Sequence, residues 1–324
     1  MKHKVLITGV AGFIAQRTCE YLLDEGHEVV GVDNLNDYYD VSLKDFRLKS
    51  LLKRNNFKFH EIDIEHKQEL EKVFTEQKFD IVFNLAARAG VRYSIENPDI
   101  YISTNIQGNL NILEMMKKYQ VEKLILASTS SLYAGKEMPF LESLDVTGPI
   151  SPYASTKRSA ELMSYTYHHL YGIDVSIVRY FTVYGPLSRP DMAQMRFMKW
   201  IDDENEIQLY GDGTQARDFT HVDDIARGTI LASKKLGFEI INLGGGEEPI
   251  SMNEMISAYE KHLNKKAIVK HLPFNKADMP FTMANIDKAK RLIDWEPRIS
   301  LDEGVESCIK HFKDNYEFYS SIRL

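Results

Sequence analysis

The chain has 324 residues, 44% hydrophobic and 27% charged, with 40 Lys plus Arg against 47 Asp plus Glu for a net charge of −7, a composition that suits a globular protein with a buried core and room for a second lobe. That balance argues against a basic surface for nucleic acid, so an anionic ligand has to be held by local charge. Only two cysteines occur, Cys19 and Cys308, which argues against a disulfide framework and fits a reducing compartment, and no apolar run approaches the roughly 20 residues of a membrane span.

Met1-Lys2-His3-Lys4 is basic, but the apolar stretch behind it is short and runs into glycine-rich sequence. It reads as the approach to a first strand rather than as a signal peptide, and a soluble cytoplasmic protein is expected. Short β-branched runs at 5–8, 28–33, 57–62, 81–85, 124–128 and 175–179 then alternate with amphipathic segments at 13–24, 68–76, 106–119 and 153–171. This alternation predicts an α/β fold, a doubly wound parallel sheet covered by helices on both faces, with ligands bound beyond the carboxyl ends of the strands. After about Tyr184 the rhythm loosens, with strands expected at 208–210, 239–242 and 267–271 and helices at 253–263, 288–293 and 301–316. There is no internal repeat, low-complexity tract or long linker.

The first strand leads directly into Gly9-Val10-Ala11-Gly12-Phe13-Ile14-Ala15 and a helix. Gly9 and Gly12 permit a tight turn and let a pyrophosphate approach the N–H groups at the helix start, beside Phe13 and Ile14. Asp33 closes the second strand, where a carboxylate accepts hydrogen bonds from ribose hydroxyls and repels a 2′-phosphate, favouring NAD over NADP. This makes the sheet Rossmann-type. Asp63, with Ile64 next to it, follows the third strand, where it either reaches the adenine amino group or caps the next helix. Leu85-Ala86-Ala87 follows the fourth strand with side chains small enough for backbone to approach a cofactor. Asn105 lies in the next helical region, as a cofactor contact or as a structurally bonded position.

Ser128-Thr129-Ser130-Ser131 ends the fifth strand, and Tyr153-Ala154-Ser155-Thr156-Lys157 opens a long helix after Pro152. Tyr153 and Lys157, four apart, share a helical face. An ammonium and a nicotinamide cation nearby would both favour the phenolate, lowering its pKa from about 10, while a hydroxyl opposite orients a substrate alcohol. His168-His169 sit on different faces of one helix and do not read as a metal site.

In this order the motifs resemble the extended short-chain dehydrogenases/reductases and, within them, the NAD-dependent epimerase/dehydratase family. The resemblance spans nearly the whole chain: Gly9-x-x-Gly12-x-x-Ala15, Asn84-Leu85-Ala86-Ala87, Tyr153-x-x-x-Lys157, Arg179-Tyr180-Phe181 and Arg217-Asp218-Phe219-x-His221-Val222-Asp223-Asp224. Ala15 replaces the usual third glycine, whose role in helix–strand packing a methyl group can fill. The resemblance implies NAD as cofactor, Thr129, Tyr153 and Lys157 as catalytic triad, and Tyr153, Lys157 and Tyr180 among the cofactor contacts. It divides the chain into an NAD-binding domain over 1–184 and a smaller α/β lobe over 185–324 that mainly binds substrate, with chain crossings between them allowed. The dehydratases of the family carry an acidic residue where Ser130 and Ser131 stand, so dehydration is disfavoured. Helices 106–119 and 153–171 are similar to those that pair in family homodimers, implying a dimer.

Three further segments are similar to the UDP-glucuronate 4-epimerases of that family: Asn36-Asp37-Tyr38-Tyr39-Asp40 with the insertion at 42–52, Arg88-Ala89-Gly90-Val91-Arg92, and Thr182-Val183-Tyr184-Gly185-Pro186 running to Arg189-Pro190-Asp191-Met192. A hexuronic acid brings a carboxylate that Arg, Thr and Ser donors can hold, which makes Arg88, Ser130, Ser131, Thr182 and Arg189 the substrate-side candidates. For Arg88 and Arg189 a surface ion pair is the plain alternative, and for Arg189 also a phosphate contact. Arg217 resembles the family's pyrophosphate clamp and Asp278 its uridine-side ribose contact, although Asn275 stands where galactose-epimerase relatives often carry an arginine. The expected reaction is inversion of carbon 4 of UDP-glucuronic acid through a transient 4-keto sugar. The alternatives are a UDP-glucuronate decarboxylase, another UDP-hexose 4-epimerase, or a non-catalytic protein that binds NAD and UDP-sugar.

Overall fold

The computed structural model describes residues 2–273 and 280–324. The first part alternates β1 (Lys4–Thr8), α1 (Phe13–Asp24), β2 (Glu28–Asp33), α2 (Val41–Leu51), β3 (Phe57–Glu61), α3 (Lys67–Glu76) and β4 (Ile81–Asn84). Two short helices follow, α4 (Val91–Glu96) and α5 (Pro98–Tyr101), then a wide π turn (Ile102–Gly108) that runs into α6 (Asn109–Tyr119). Next come β5 (Lys123–Thr129), a 3-10 turn (Ser130–Tyr133), α7 (Pro152–Tyr171), β6 (Asp174–Tyr180) and β7 (Thr182–Tyr184). The remainder holds α8 (Ala193–Asp202), β8 (Glu206–Tyr210), β9 (Ala216–Arg217), β10 (Phe219–His221), α9 (Val222–Leu231), β11 (Phe238–Leu243), β12 (Ile250–Ser251) and α10 (Met252–Leu263). It closes with β13 (Ile268–Leu272), α11 (Asp287–Ile293), α12 (Leu301–Asp314) and α13 (Tyr316–Ser321).

Seven strands form one sheet in the order β11-β6-β5-β4-β1-β2-β3, and each neighbouring pair is parallel. The α/β, doubly wound Rossmann-type sheet expected from the sequence is therefore present. Strand order reverses direction beside β1, and it is there that the carboxyl ends open a crevice. All seven residues of β5 are buried, as they must be in a strand covered on both faces. Period-two alternation sends successive β1 residues to opposite sides. Val5 and Ile7 join a core with Ala15, Cys19 and Leu22 of α1, while Leu6 joins Leu70, Phe74, Ile112 and Met116 on the other side.

The predicted strands lie within a residue or two of those observed, but the sequence reading left α2, α8 and α9 unassigned. The helix expected over 106–119 begins as the π turn and becomes regular only at Asn109. The helix expected over 301–316 ends at Asp314 and resumes at Tyr316. Residues after 184 do not all keep together: β11 pairs with β6 in the large sheet, and α9 lies against α1, tied by Arg17 to Asp223 at 2.6 Å. A third core gathers Leu43 and Tyr184 with Met195, Phe197, Met255, Tyr259, Val305 and Phe312. Among the described residues no helix is long and apolar enough to cross a membrane.

Helix α7 is well terminated at both ends. Ser151 accepts from the Ala154 N–H, Pro152 occupies the first turn, and Gly172 closes the helix at φ 69°, a cap arrangement whose serine alone is worth about 1 kcal/mol. This fixes where Tyr153 emerges, one residue inside the helix start.

Candidate functional site

A cavity of about 420 Å³ opens at the carboxyl ends of the strands. Its floor is the β1–α1 turn. Gly9 holds φ +70°, and a methyl group there would stand 2.7 Å from the Ala86 Cα, whereas one on Gly12 would stand 2.8 Å from the Gly9 carbonyl oxygen. Neither position can carry a side chain without displacing backbone, so the tight turn beneath the cavity requires glycine at both. The start of α1 has no side-chain cap, so its N–H groups face the cavity as an anion site. Ala15 is 3% exposed within the core, its methyl filling the helix–strand contact. These features fit a dinucleotide pyrophosphate.

Phe13, Ile14, Asp33, Asp63, Ile64, Leu85, Ala86 and Ala87 line the same cavity. Asp33 is oriented by two backbone donors, Ala11 N–H at 3.0 Å and Leu35 N–H at 2.9 Å, which leaves carboxylate lone pairs for a ribose. Asp63 accepts from the Asn34 amide at 2.6 Å and from the Glu65 N–H at 2.9 Å, whereas the residue before α3 is His66, with no side-chain cap. Asp63 thus braces a turn and is not the helix cap. Asn105 stands behind the cavity wall: its side chain accepts from the Arg88 N–H at 2.9 Å and donates to the Arg88 carbonyl and the Thr156 hydroxyl at 3.0 Å each. In this structure it holds the backbone of the cavity rim and does not line it.

Thr129, Ser130, Ser131, Tyr153, Lys157, Tyr180 and Thr182 converge on the other end of the cavity. Thr129 closes β5 and its hydroxyl donates to Ser131 Oγ at 3.1 Å. The Tyr153 ring meets Tyr101 edge-on at 6.1 Å. Burial pushes the Tyr153 phenol above its ordinary value, against a downward pull from the Thr129 hydroxyl and the Arg189 charge. Lys157 is 5% exposed and donates to the Ala127 carbonyl at 2.9 Å. Burial pushes its ammonium down to about 8, with Glu161 opposing. The helix places both groups on one face, but the ammonium is anchored to the sheet, and burial dominates the phenol.

The rim carries Arg88 and Arg189. Arg88 donates to Asn36 Oδ1 at 3.0 Å. Arg189 pairs with Asp191 through Nε at 3.0 Å and Nη2 at 2.5 Å. Both guanidinium groups flank Tyr38, at 6.0 Å and 5.4 Å from its ring centre. Tyr38 itself donates to the Ala89 carbonyl at 2.8 Å. The insertion thus closes over the cavity from one side. Arg217 lies on β9, away from the described cavity wall, donating to the carbonyls of Ala216 and Pro280 at 3.0 and 3.2 Å. Asp278, like Asn275, lies outside the described residues.

Sequence reasoning missed several residues. Lys44 lines the cavity and donates to the Asn36 carbonyl at 2.7 Å; burial pushes it down to about 8. Its signal was faint, one lysine within the insertion at 42–52 with no chemical motif around it. Asp218 accepts from the Ala284 N–H at 2.6 Å and from the Gly245 N–H, so it braces the Gly244–Gly246 loop. Burial lifts it to about 6.

The model of the NAD dependent epimerase/dehydratase family matches residues 5–244. The chain is 58% identical over 319 residues to a UDP-glucuronate 4-epimerase of Thermodesulfobacterium geofontis, covering 98% of this chain and 99% of that one. It is 41% identical to protein CapI of Staphylococcus aureus, covering 97% and 99%. Among solved structures, the UDP-glucuronic acid 4-epimerase of Bacillus cereus in complex with UDP-glucuronic acid and NAD superposes with a TM-score of 0.90 at 38% identity, covering 97% of this chain and 100% of that one. The UDP-glucose 4-epimerase of Thermotoga maritima gives 0.88 at 31%, covering 97% and 99%. With glycine turn, hydroxyl cluster and Tyr-Lys helix meeting in one cavity, and the family model spanning most of its length, this chain belongs to the NAD dependent epimerase/dehydratase family.

Proposed function

We propose that this protein inverts carbon 4 of UDP-glucuronic acid, giving UDP-galacturonic acid through a transient 4-keto sugar with NAD as resident cofactor. The observation that carries this reading is the shared cavity, which gathers Tyr153, the Thr129 hydroxyl and the cationic rim residue Arg189. One wall can exchange a proton with a sugar alcohol while the other holds a carboxylate. The high identity to a UDP-glucuronate 4-epimerase along nearly all of the chain supports the same reading.

Gly9, Gly12 and the start of α1 would hold the cofactor pyrophosphate, and Asp33 a ribose. Bound NAD⁺ supplies a reversible hydride acceptor, so the reaction is redox-neutral overall. Thr129 orients the 4-hydroxyl, and Tyr153 takes its proton and later returns it to the opposite epimer. Lys157 keeps positive charge beneath the phenol. Thr182, Ser130, Ser131 and Arg189 hold the uronate carboxylate, with Arg88 on the rim beside them. Their grip keeps the carboxylate away from the perpendicular alignment in which a β-keto acid loses CO₂. Ser130 and Ser131 carry no acid to drive dehydration. We assign catalysis and cofactor binding to 1–184 and mainly substrate binding to 185–324, with β11 and α9 crossing back, Arg217 and Asp278 on the nucleotide side, and Asn105 supporting the cofactor wall through Arg88. A homodimer through the exposed faces of α6 and α7 and a cytoplasmic location belong to the same reading.

The test is product analysis of purified protein given UDP-glucuronic acid and NAD⁺. An epimer of unchanged mass is expected. Predominant UDP-pentose, or turnover of UDP-glucose alone, would overturn the assignment.

A further inference from the structure

Glu161 is completely buried on α7, one helical turn beyond Lys157. A glutamate and a lysine four apart on a helix ordinarily pair with each other, yet here the ammonium goes to Ala127. The Glu161 carboxylate instead receives four donors. Ser128 Oγ at 2.6 Å and Arg179 Nε at 2.9 Å reach Oε1, while Arg179 Nη2 at 2.8 Å and Arg158 Nη1 at 2.9 Å reach Oε2. Arg179 is 1% exposed and spends its remaining nitrogen on Tyr133 Oη at 2.8 Å. Tyr133 in turn donates to Asn242 of β11 at 2.8 Å.

A buried ion pair is weak evidence for stability, because desolvation offsets most of its attraction, and its better-attested use is fixing register. The register at stake here is that of α7 against β5. Three consecutive β5 residues meet the helix or the cavity in turn: the Ala127 carbonyl receives Lys157, the Ser128 side chain meets Glu161, and Thr129 faces Tyr153. Sliding or rotating the helix would break the first two contacts together and move Tyr153 away from Thr129.

We propose that Glu161, locked by Arg179, is a positioning residue that acts through Ser128 to set the register in which Thr129 and Lys157 serve Tyr153. This rests on the catalytic reading given above. Its mark is geometric, so it falls on turnover rather than on substrate binding; a displacement of about 1 Å costs on the order of a hundredfold in rate.

The experiment compares full-length protein with Ser128→Ala, Ser128→Thr and Glu161→Gln, each with NAD⁺ and UDP-glucuronic acid or UDP-glucose, and checks the fold by circular dichroism. Ser128→Ala keeps the Glu161–Arg179 pair, so it retains the fold even if Glu161→Gln does not. Expected is a loss of about tenfold or more in kcat for Ser128→Ala with KM nearly unchanged, and recovery in Ser128→Thr, which restores the hydroxyl. An active wild type alongside Ser128→Ala at full kcat, or with its loss confined to KM, overturns this inference alone. A wild type that converts neither sugar overturns the reaction reading and this inference with it.

Discussion

Lys157 donates its ammonium to the Ala127 carbonyl at 2.9 Å, so the charge that accompanies Tyr153 along α7 is moored to the central strand rather than to the phenol. Burial holds that ammonium near 8. It is charged below this pH and neutral above it. On the proposed reading kcat/KM therefore falls as pH rises through about 8, because the charged form is the useful one. Lys157→Arg, charged throughout, should lack this limb while running at a lower plateau. A pH–rate profile of both proteins checks the sign and the position.

Tyr153 lines the cavity together with Thr129 and Arg189, and both of these pull its phenol downward against burial. On the proposed reading, Tyr153→Phe removes the proton acceptor, and it keeps the ring that meets Tyr101 edge-on. Interconversion should drop by about 10²–10⁴-fold, with unchanged circular dichroism and melting temperature. A fully active variant would remove Tyr153 from the role of base.

Gly9→Ala sets a side chain on left-handed backbone, at a cost of about 1–2 kcal/mol, and drives its methyl to 2.7 Å from the Ala86 Cα. The melting temperature should fall by about 2–4 °C for each kcal/mol, and the variant should purify without NAD. Calorimetry together with the nucleotide content of the heat-denatured supernatant measures both.

Arg189 reaches the cavity from a loop and is held by Asp191 at 3.0 and 2.5 Å. On the proposed reading, Arg189→Ala frees the uronate carboxylate to rotate, so a larger share of the 4-keto intermediate should lose CO₂. Mass analysis of products from UDP-glucuronic acid should show the pentose fraction rising relative to wild type. An unchanged ratio would leave Thr182, Ser130 and Ser131 as the groups that hold the carboxylate.

Much of this arrangement is local enough to be read from the chain. Short apolar, β-branched runs alternating with amphipathic segments read as strands of a covered parallel sheet, so most of their positions follow from pattern. Gly9 and Gly12 are legible because their chemistry is a backbone requirement, and Tyr153 and Lys157 because helical spacing fixes their shared face. By contrast, α2 escaped notice because its apolar residues show no clean amphipathic stripe, although Leu43, Leu48 and Leu51 are buried. The helix start at 102–108 was misjudged because a π turn departs from the 3.6-residue period on which the reading depends.

The sequence by itself determined the sheet, the glycine turn and most of the groups that line the cavity, since each depends on residues close together in the chain. Tertiary structure alone decided what those groups do to one another. It anchored the Lys157 ammonium on the Ala127 carbonyl, turned Asn105 toward the backbone of Arg88, and drew β11 into the large sheet next to β6. These are contacts between positions distant in sequence, where burial and hydrogen-bond competition settle which partner wins. No periodicity or spacing along the chain records that contest.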